Sequence, residues 1–169
     1  MELNTLADWQ RAGGTEVGWR LTTAAPPATF AVCRHYAGWM KAFRLYLFSI
    51  GDEGTEPLEF LEAVDGLREW EPHPALARRV YDQYLNAEKD HRRKAIRVSV
   101  SIVQALAGAF GAVHPPARAG IFEAAYKEIV LLINESTYRD FKKMTARLRV
   151  RAPEEPGQVL SRQVAVATA

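Results

Sequence analysis

The side chains that could perform chemistry are few, and none stands at a spacing typical of a catalytic or metal site. Cys33 lies two residues before His35. Because catalytic cysteines and histidines are usually brought together by folding, this closeness in sequence is weak evidence for a catalytic pair. We expect Cys33 to be a small buried residue, with a reactive thiol as the alternative. The remaining histidines, His73, His91 and His114, lack a histidine partner one helical turn away. Because the chain also has only one cysteine, we expect neither a metal site nor a cofactor.

Charged residues form two clusters that need an interpretation. Glu59, Glu62 and Asp65 form an acidic row that could be a metal-binding face, although a solvated helix edge is the favoured interpretation. The basic run Arg92-Arg93-Lys94, followed by Arg97, could contact phosphate or a membrane surface, but neighbouring acidic residues dilute it.

Composition excludes several functional classes. The chain has 169 residues, 48% of them hydrophobic and 25% charged, which fits one globular domain. A net charge of +2 does not predict a nucleic-acid partner, and no glycine-rich phosphate-binding motif is present. No apolar run reaches the roughly 18 residues of a membrane span, and the N-terminus lacks the pattern of a signal peptide. We therefore expect a soluble, cytoplasmic binding module without an active site.

The elements that must position these side chains are all helical. Apolar residues recur every three or four positions in successive segments, which predicts an all-α fold of seven to nine helices. The first stripe runs from Val32 to Ile50 and places Tyr36 among its buried residues. Thr55 and Pro57 predict the start of the next helix. A buried helix is expected from Ile96 to Phe110, and the clearest periodicity lies between Ile121 and Ile133.

The ends of the chain differ from its middle. Residues 1–29 contain Trp9 and Trp19, so we expect this arm to pack on the domain. Residues 30–152 form the predicted helical domain. From Pro153 to Ala169 the periodicity is lost, and this segment is predicted to be a flexible tail.

Four segments, in order, resemble the domain of regulators of G-protein signalling (RGS domains). Residues 121–132 are similar to the penultimate core helix of that family, and residues 136–141, Ser-Thr-Tyr-Arg-Asp-Phe, resemble the motif that follows it. Upstream, residues 56–64 look like the segment that begins Glu-Asn-Leu, and residues 77–85 resemble its Ala-x-x-Ile-Tyr stretch. The resemblance implies a two-lobed bundle of about nine helices.

The resemblance also implies a partner, a G-protein alpha subunit, whose GTP hydrolysis the domain accelerates by stabilising its switch segments. The implied partner-binding residues are Glu56, Pro57, Arg97, Leu132, Ser136, Arg139 and Asp140. Three of them depart from the family pattern, which has asparagine where Pro57 stands, an acidic residue at Ser136 and a basic residue at Asp140. The family's second contact asparagine would fall near Arg97, and this loop shows no clear match to it. Through this partner, the chain is expected to reach the inner face of the plasma membrane.

Two alternatives stay open at this point. The departures favour an RGS-like docking module that lacks GTPase-accelerating activity. An unrelated helical bundle, or a carrier of a small ligand with a pocket lined by Phe43, Tyr84 and Phe110, is the third possibility.

Overall fold

The computed structural model describes residue 3 and residues 5–51, 55–86 and 96–151. Within these ranges the chain forms α-helices and one 3₁₀ helix, and it contains no strand. The helices are α1 (Leu6–Thr23), α2 (Phe30–Cys33), α3 (Ala37–Ile50), α4 (Glu56–Glu69), α5 (Pro74–Tyr84), α6 (Val100–Gly111), the 3₁₀ helix (Ala119–Phe122), α7 (Glu123–Glu135) and α8 (Thr137–Arg151). The predicted all-α class is confirmed, and the described ranges hold eight α-helices and one 3₁₀ helix where about nine helices were expected.

The helices form two lobes, each with its own aromatic cluster. In the first lobe α1 packs on α3 and α8, and Phe43 lies at its centre, 5.3 Å from Phe141 and 5.5 Å from Tyr138 between ring centroids. In the second lobe α4, α5, α6 and α7 enclose another group of rings, with Phe110 stacked 4.5 Å from Tyr81. Helix α7 contacts α8, α4 and α2, so it joins the two lobes.

Helix α1 is anchored to the first lobe along its length. Thr5 and Asp8 form a reciprocal capping box at its start. The indole of Trp9 is buried and donates to the carbonyl of Leu3 at 2.8 Å. A Cβ at Gly13 would lie 2.6 Å from Cδ1 of Leu45, so this glycine allows α1 to approach α3 closely. The division between an arm and a domain at residue 29 stays a prediction, and the tail from 153 lies outside the described residues.

A short segment between α1 and α2 is held by the last two helices. The hydroxyl of Tyr138 donates to the carbonyl of Pro27 at 2.7 Å, and the ammonium of Lys142 donates to the carbonyl of Ala28 at 2.8 Å. The amide of Phe30 donates to Asn134 at 3.0 Å. These bonds tie the C-terminal end of α1 to the junction of α7 and α8.

A polar cluster fills the space between the lobes. We call Arg34, Asp65, Arg68 and Tyr126 the interlobe cluster. Arg34 donates to both the hydroxyl of Tyr126 and the carboxylate of Asp65, and Tyr126 in turn donates to Asp65 at 3.0 Å. Arg68 donates to Asp65 at 2.7 Å and lies 4.5 Å from the ring centroid of Tyr126. Burial acts to lower the pKa of Arg34, but Tyr126 and Asp65 outweigh it and raise that pKa.

The first apolar stripe is shorter than predicted. The chain bends after α2, and Tyr36 is the N-cap of α3 with an extended backbone, so its side chain is 51% exposed. The prediction that Tyr36 is buried in a helix from Val32 to Ile50 was therefore wrong. No glycine or proline marks this bend, which explains why the periodicity extended through it.

The predicted buried helix from Ile96 to Phe110 was also wrong in two respects. Helix α6 begins at Val100, and within it only Leu106 and Phe110 are buried. Val100 itself is 70% exposed. The other side of α6 consists largely of alanine and glycine, which give a long apolar run in the sequence but bury little surface.

Candidate partner-binding surface

The first predicted contact residues open helix α4. Glu56 and Pro57 occupy its first turn, where a proline is tolerated because its missing amide would have no partner in the helix. Both side chains are partly exposed. One carboxylate oxygen of Glu56, Oε2, is buried and has no hydrogen-bond partner among the residues that the structure describes.

Arg97 lies beside this end of α4. Phe60, one turn after Glu56, contacts Tyr84 at the end of α5 with 5.8 Å between ring centroids. The amide of Ile96 donates to the carbonyl of Tyr84 at 3.3 Å, and Ile96 is buried. The next side chain, Arg97, is exposed. These contacts bring Arg97 to the end of the bundle where α4 begins.

Leu132 lies on the same end through helix α7. Glu128 accepts from the amide of Ser99 at 2.7 Å and from its hydroxyl at 2.9 Å, which fixes the segment before α6 against α7. Leu132 follows Glu128 by four residues and therefore shares its face of the helix. Its side chain is 41% exposed.

Ser136, Arg139 and Asp140 follow at the junction of α7 and α8. The hydroxyl of Ser136 donates to the carbonyl of Leu132 at 2.6 Å. The Asp140 carboxylate binds Lys143 at 3.2 Å and lies 3.7 Å from Arg139. Together with burial, the charge of Asp140 raises the pKa of Tyr46 on α3.

The predicted contact residues thus come from three separate parts of the sequence to one end of the bundle. We call Glu56, Pro57, Arg97, Leu132, Ser136, Arg139 and Asp140 the rim. Its side chains are exposed or partly exposed, and its ionised groups include both signs. The rim has the accessibility that a protein-binding surface needs.

Sequence reasoning missed two large apolar side chains at the end of α3. Phe48 is 62% exposed and Ile50 is 50% exposed, next to the loop that leads into α4. Neither belongs to the helical stripe of α3, and that mismatch was the available signal. A large apolar residue outside a buried stripe has to lie in solvent or in an interface.

The residues considered for other chemistry have structural roles. Cys33 is fully buried, and burial raises the pKa of its thiol, which disfavours the reactive thiolate. His73 accepts from the amide of Leu76 at 3.1 Å and caps α5. Of the acidic row, Glu62 pairs with Arg44, and Asp65 belongs to the interlobe cluster. His91 and the basic run Arg92-Arg93-Lys94 lie outside the described residues.

Two further features, a metal-binding group and a membrane-spanning helix, are absent from the described ranges. The part of the chain with assigned positions holds no group of three or more histidine, cysteine or acidic side chains arranged to bind a metal ion. Among the helices described, none has the length and apolar character that crossing a membrane requires.

The carrier pocket proposed from the sequence does not form. Phe43 packs among the rings of the first lobe, whereas Phe110 stacks on Tyr81 in the second. Tyr84 contacts Phe60. These rings belong to two different aromatic clusters and pack against other rings, so they do not line one common cavity.

Comparison with known protein families decides the affiliation. The family model described as the regulator of G protein signaling domain matches residues 31–146, which is more than half of the chain. The chain belongs to the RGS domain family. All the rim residues of this RGS domain lie within the matched segment, whereas the whole of α1 precedes it. A search of curated proteins found no match to the chain.

Membership in the family sets the class of function. RGS domain proteins are regulators in G-protein signalling and are not themselves catalysts. The two-lobed helical bundle expected from the resemblance is the fold of this chain.

Proposed function

We propose that this RGS domain binds a G-protein alpha subunit through the rim and accelerates its GTP hydrolysis. The proposal is supported by contacts that link its three stretches: Phe60 near the start of α4 packs on Tyr84, to whose carbonyl the amide of Ile96 donates. Glu128 of α7 accepts from the amide of Ser99 in the segment before α6. The family resemblance implies that these same stretches contact the partner. The chain would act in the cytoplasm, at the inner face of the plasma membrane where its partner resides.

The acceleration needs no catalytic group from the RGS domain. Binding that favours the transition-state shape of the partner's switch segments over their ground-state shape lowers the barrier to hydrolysis. A difference of about 3 kcal/mol corresponds to roughly a hundredfold higher rate.

The second candidate function is docking without acceleration, and the local geometry of two rim residues favours it. The hydroxyl of Ser136 is engaged with the carbonyl of Leu132, so it offers a weaker anchor than the family's acidic residue. Asp140 carries the opposite charge to the family's basic residue and is partly neutralised by Lys143. Losing such anchors removes a few kcal/mol of binding in other interfaces, on the order of 2 kcal/mol for each important contact.

Single-turnover GTP hydrolysis distinguishes the two functions. Each alpha subunit of a panel is loaded with GTP, and hydrolysis is followed with and without the full chain. We expect at least one subunit to hydrolyse GTP more than about tenfold faster with the chain present. Binding without acceleration would support the docking module, and neither binding nor acceleration with any subunit would refute the proposed function.

A further inference from the structure

We propose that the exposed side of α8 lies against a membrane surface that carries anionic lipids, so that the chain binds such a membrane directly. The proposed function requires an alpha subunit, whereas this inference concerns the chain alone. Each can therefore fail without the other.

Helix α8 holds a disproportionate share of the positive charge of the chain. It contains six of the 22 lysines and arginines but one of the 20 acidic residues. The rest of the chain therefore has more acidic than basic residues, although the net charge of the whole is +2. The small net charge thus combines a strongly basic helix with an acidic remainder, and an anionic surface is attracted to the helix.

Three basic side chains of α8 follow one another at intervals of about one turn. We call Arg139, Lys143 and Arg147 the basic stripe, and all three are exposed. Because each residue advances about 100° around a helix, they lie within an arc of about 80°. The opposite side of α8 consists of the buried residues Tyr138, Phe141, Thr145 and Leu148. The basic stripe is therefore directed away from the domain.

The shape of the basic stripe suits a flat surface. Val150 is 87% exposed and continues the same line, at an angle between those of Arg139 and Lys143. The helix rises about 16 Å from Arg139 to Val150, so one plane can contact all of these side chains. Near an anionic membrane each cation favours binding about fivefold. An apolar side chain among them can enter the boundary between headgroups and acyl chains.

A nucleic acid is the main alternative partner for a basic surface. Phosphate contacts alone give non-specific binding that weakens steeply with salt, and reading of sequence requires side chains that reach base edges. The basic stripe offers cations but no amide or hydroxyl side chain among its members. Val150 would gain nothing against phosphates. These features favour a lipid surface.

The basic stripe begins within the rim, because Arg139 belongs to both surfaces. Asp140 pairs with Lys143 at 3.2 Å and so offsets part of the positive charge at this end. Arg147 lies about 10 Å further along the helix from Asp140. A membrane bound by the basic stripe would therefore lie beside the rim.

Sedimentation with vesicles tests the inference without an alpha subunit. The full chain is mixed with phosphatidylcholine vesicles that contain either no phosphatidylserine or about 30% of it, at about 0.1 M salt. We expect binding to the anionic vesicles to be at least roughly tenfold tighter, and to be lost at about 0.5 M salt because exposed charges are screened. No preference for the anionic vesicles, or a preference that persists at high salt, would overturn the inference.

Matched variants locate the binding surface. The pair Lys143→Gln and Arg147→Gln removes two charges of the basic stripe, whereas Arg79→Gln and Arg118→Gln remove two exposed charges from the second lobe. The first pair should weaken binding to anionic vesicles roughly twenty-five-fold, and the control pair less than about threefold. Equal losses would mean that overall charge attracts the chain, which would overturn the inference. Circular dichroism melting of each variant verifies that the fold is retained.

Two competitors distinguish a membrane from other sources of negative charge. Inorganic phosphate added at constant ionic strength should not release the chain from anionic vesicles, and a DNA duplex should bind more weakly than the vesicles do. Release by phosphate would indicate a site for a single anion. Equal or tighter binding of the duplex would indicate a nucleic-acid partner, and either result would overturn the assignment to a membrane.

Discussion

The interlobe cluster and the rim both include side chains of α4 and α7. The polar groups of the cluster bond to one another, whereas several charged side chains of the rim are exposed to solvent. In the interlobe cluster, Asp65 accepts from two arginines and one phenol, and the ring of Tyr126 lies against a guanidinium. In the rim, the charged side chains of Arg97, Arg139 and Asp140 are exposed. Polar groups that satisfy one another hold the lobes together. Those left exposed on a rigid support are available to recognise a partner.

Helix α7 carries both roles on different sides. Tyr126 points into the interlobe cluster, and Leu132, less than two turns later, lies on the rim. Substitutions at these two positions should therefore separate stability from binding, and a third change, at Ser136 and Asp140, tests the rim alone.

The largest effect is expected from Tyr126→Ala. This change removes an aromatic ring from the contact between α4 and α7 and leaves Arg34 without one of its acceptors. We expect a loss of about 3 kcal/mol in the free energy of unfolding, measured by urea denaturation. At a temperature where the variant is folded, its affinity for the alpha subunit should stay within about twofold of wild type. A loss of stability below about 1 kcal/mol would show that the cluster does not hold the lobes together.

The next effect is expected from Leu132→Asp, with Leu131→Asp as its matched control. Both leucines are exposed on α7, 41% and 55% respectively, but Leu131 lies about 100° around the helix, in a groove beside α2. Leu132→Asp should weaken binding of the alpha subunit roughly thirtyfold, or about 2 kcal/mol, with little change in melting temperature. Equal losses for both variants would mean that the binding surface is not the rim.

The smallest effect concerns the departures from the family pattern. The double change Ser136→Asp and Asp140→Arg restores the acidic and basic residues that the resemblance implies. We expect binding to strengthen about fivefold, or roughly 1 kcal/mol, because charge-assisted hydrogen bonds replace weaker contacts. Isothermal titration at low salt measures this change. A weaker interaction would instead indicate that this chain has adapted to a partner with a different charge pattern.

The fold could be predicted from the sequence where large apolar residues recur regularly. Ile121 to Ile133 was assigned to a helix because its aromatic and branched side chains leave one consistent stripe, and α7 with the preceding 3₁₀ helix covers this range. The failures occurred where the pattern carried no information about depth. The sequence of α6 is as apolar as that of a buried helix, because it is rich in small side chains. Most of these side chains are nevertheless not buried. At Tyr36 the bend has no sequence marker.

The candidate site was predictable only through the resemblance. The hydrophobic periodicity does not distinguish Pro57, Ser136 and Asp140 from other surface residues. Their spacing along the chain does not indicate that α4 lies near α8. Their convergence depends on contacts that are remote in sequence, such as Phe60 with Tyr84 and Glu128 with Ser99.

Binding measured in defined nucleotide states tests most directly whether the rim recognises one conformation of the alpha subunit. Affinity is measured for the same subunit in its resting, active and transition-state-mimic forms. We predict that the transition-state mimic binds at least roughly tenfold more tightly than the active form, because only preferential binding of that shape can accelerate hydrolysis. Equal affinity for the active form and the mimic would contradict the account, since uniform binding leaves the barrier to hydrolysis unchanged.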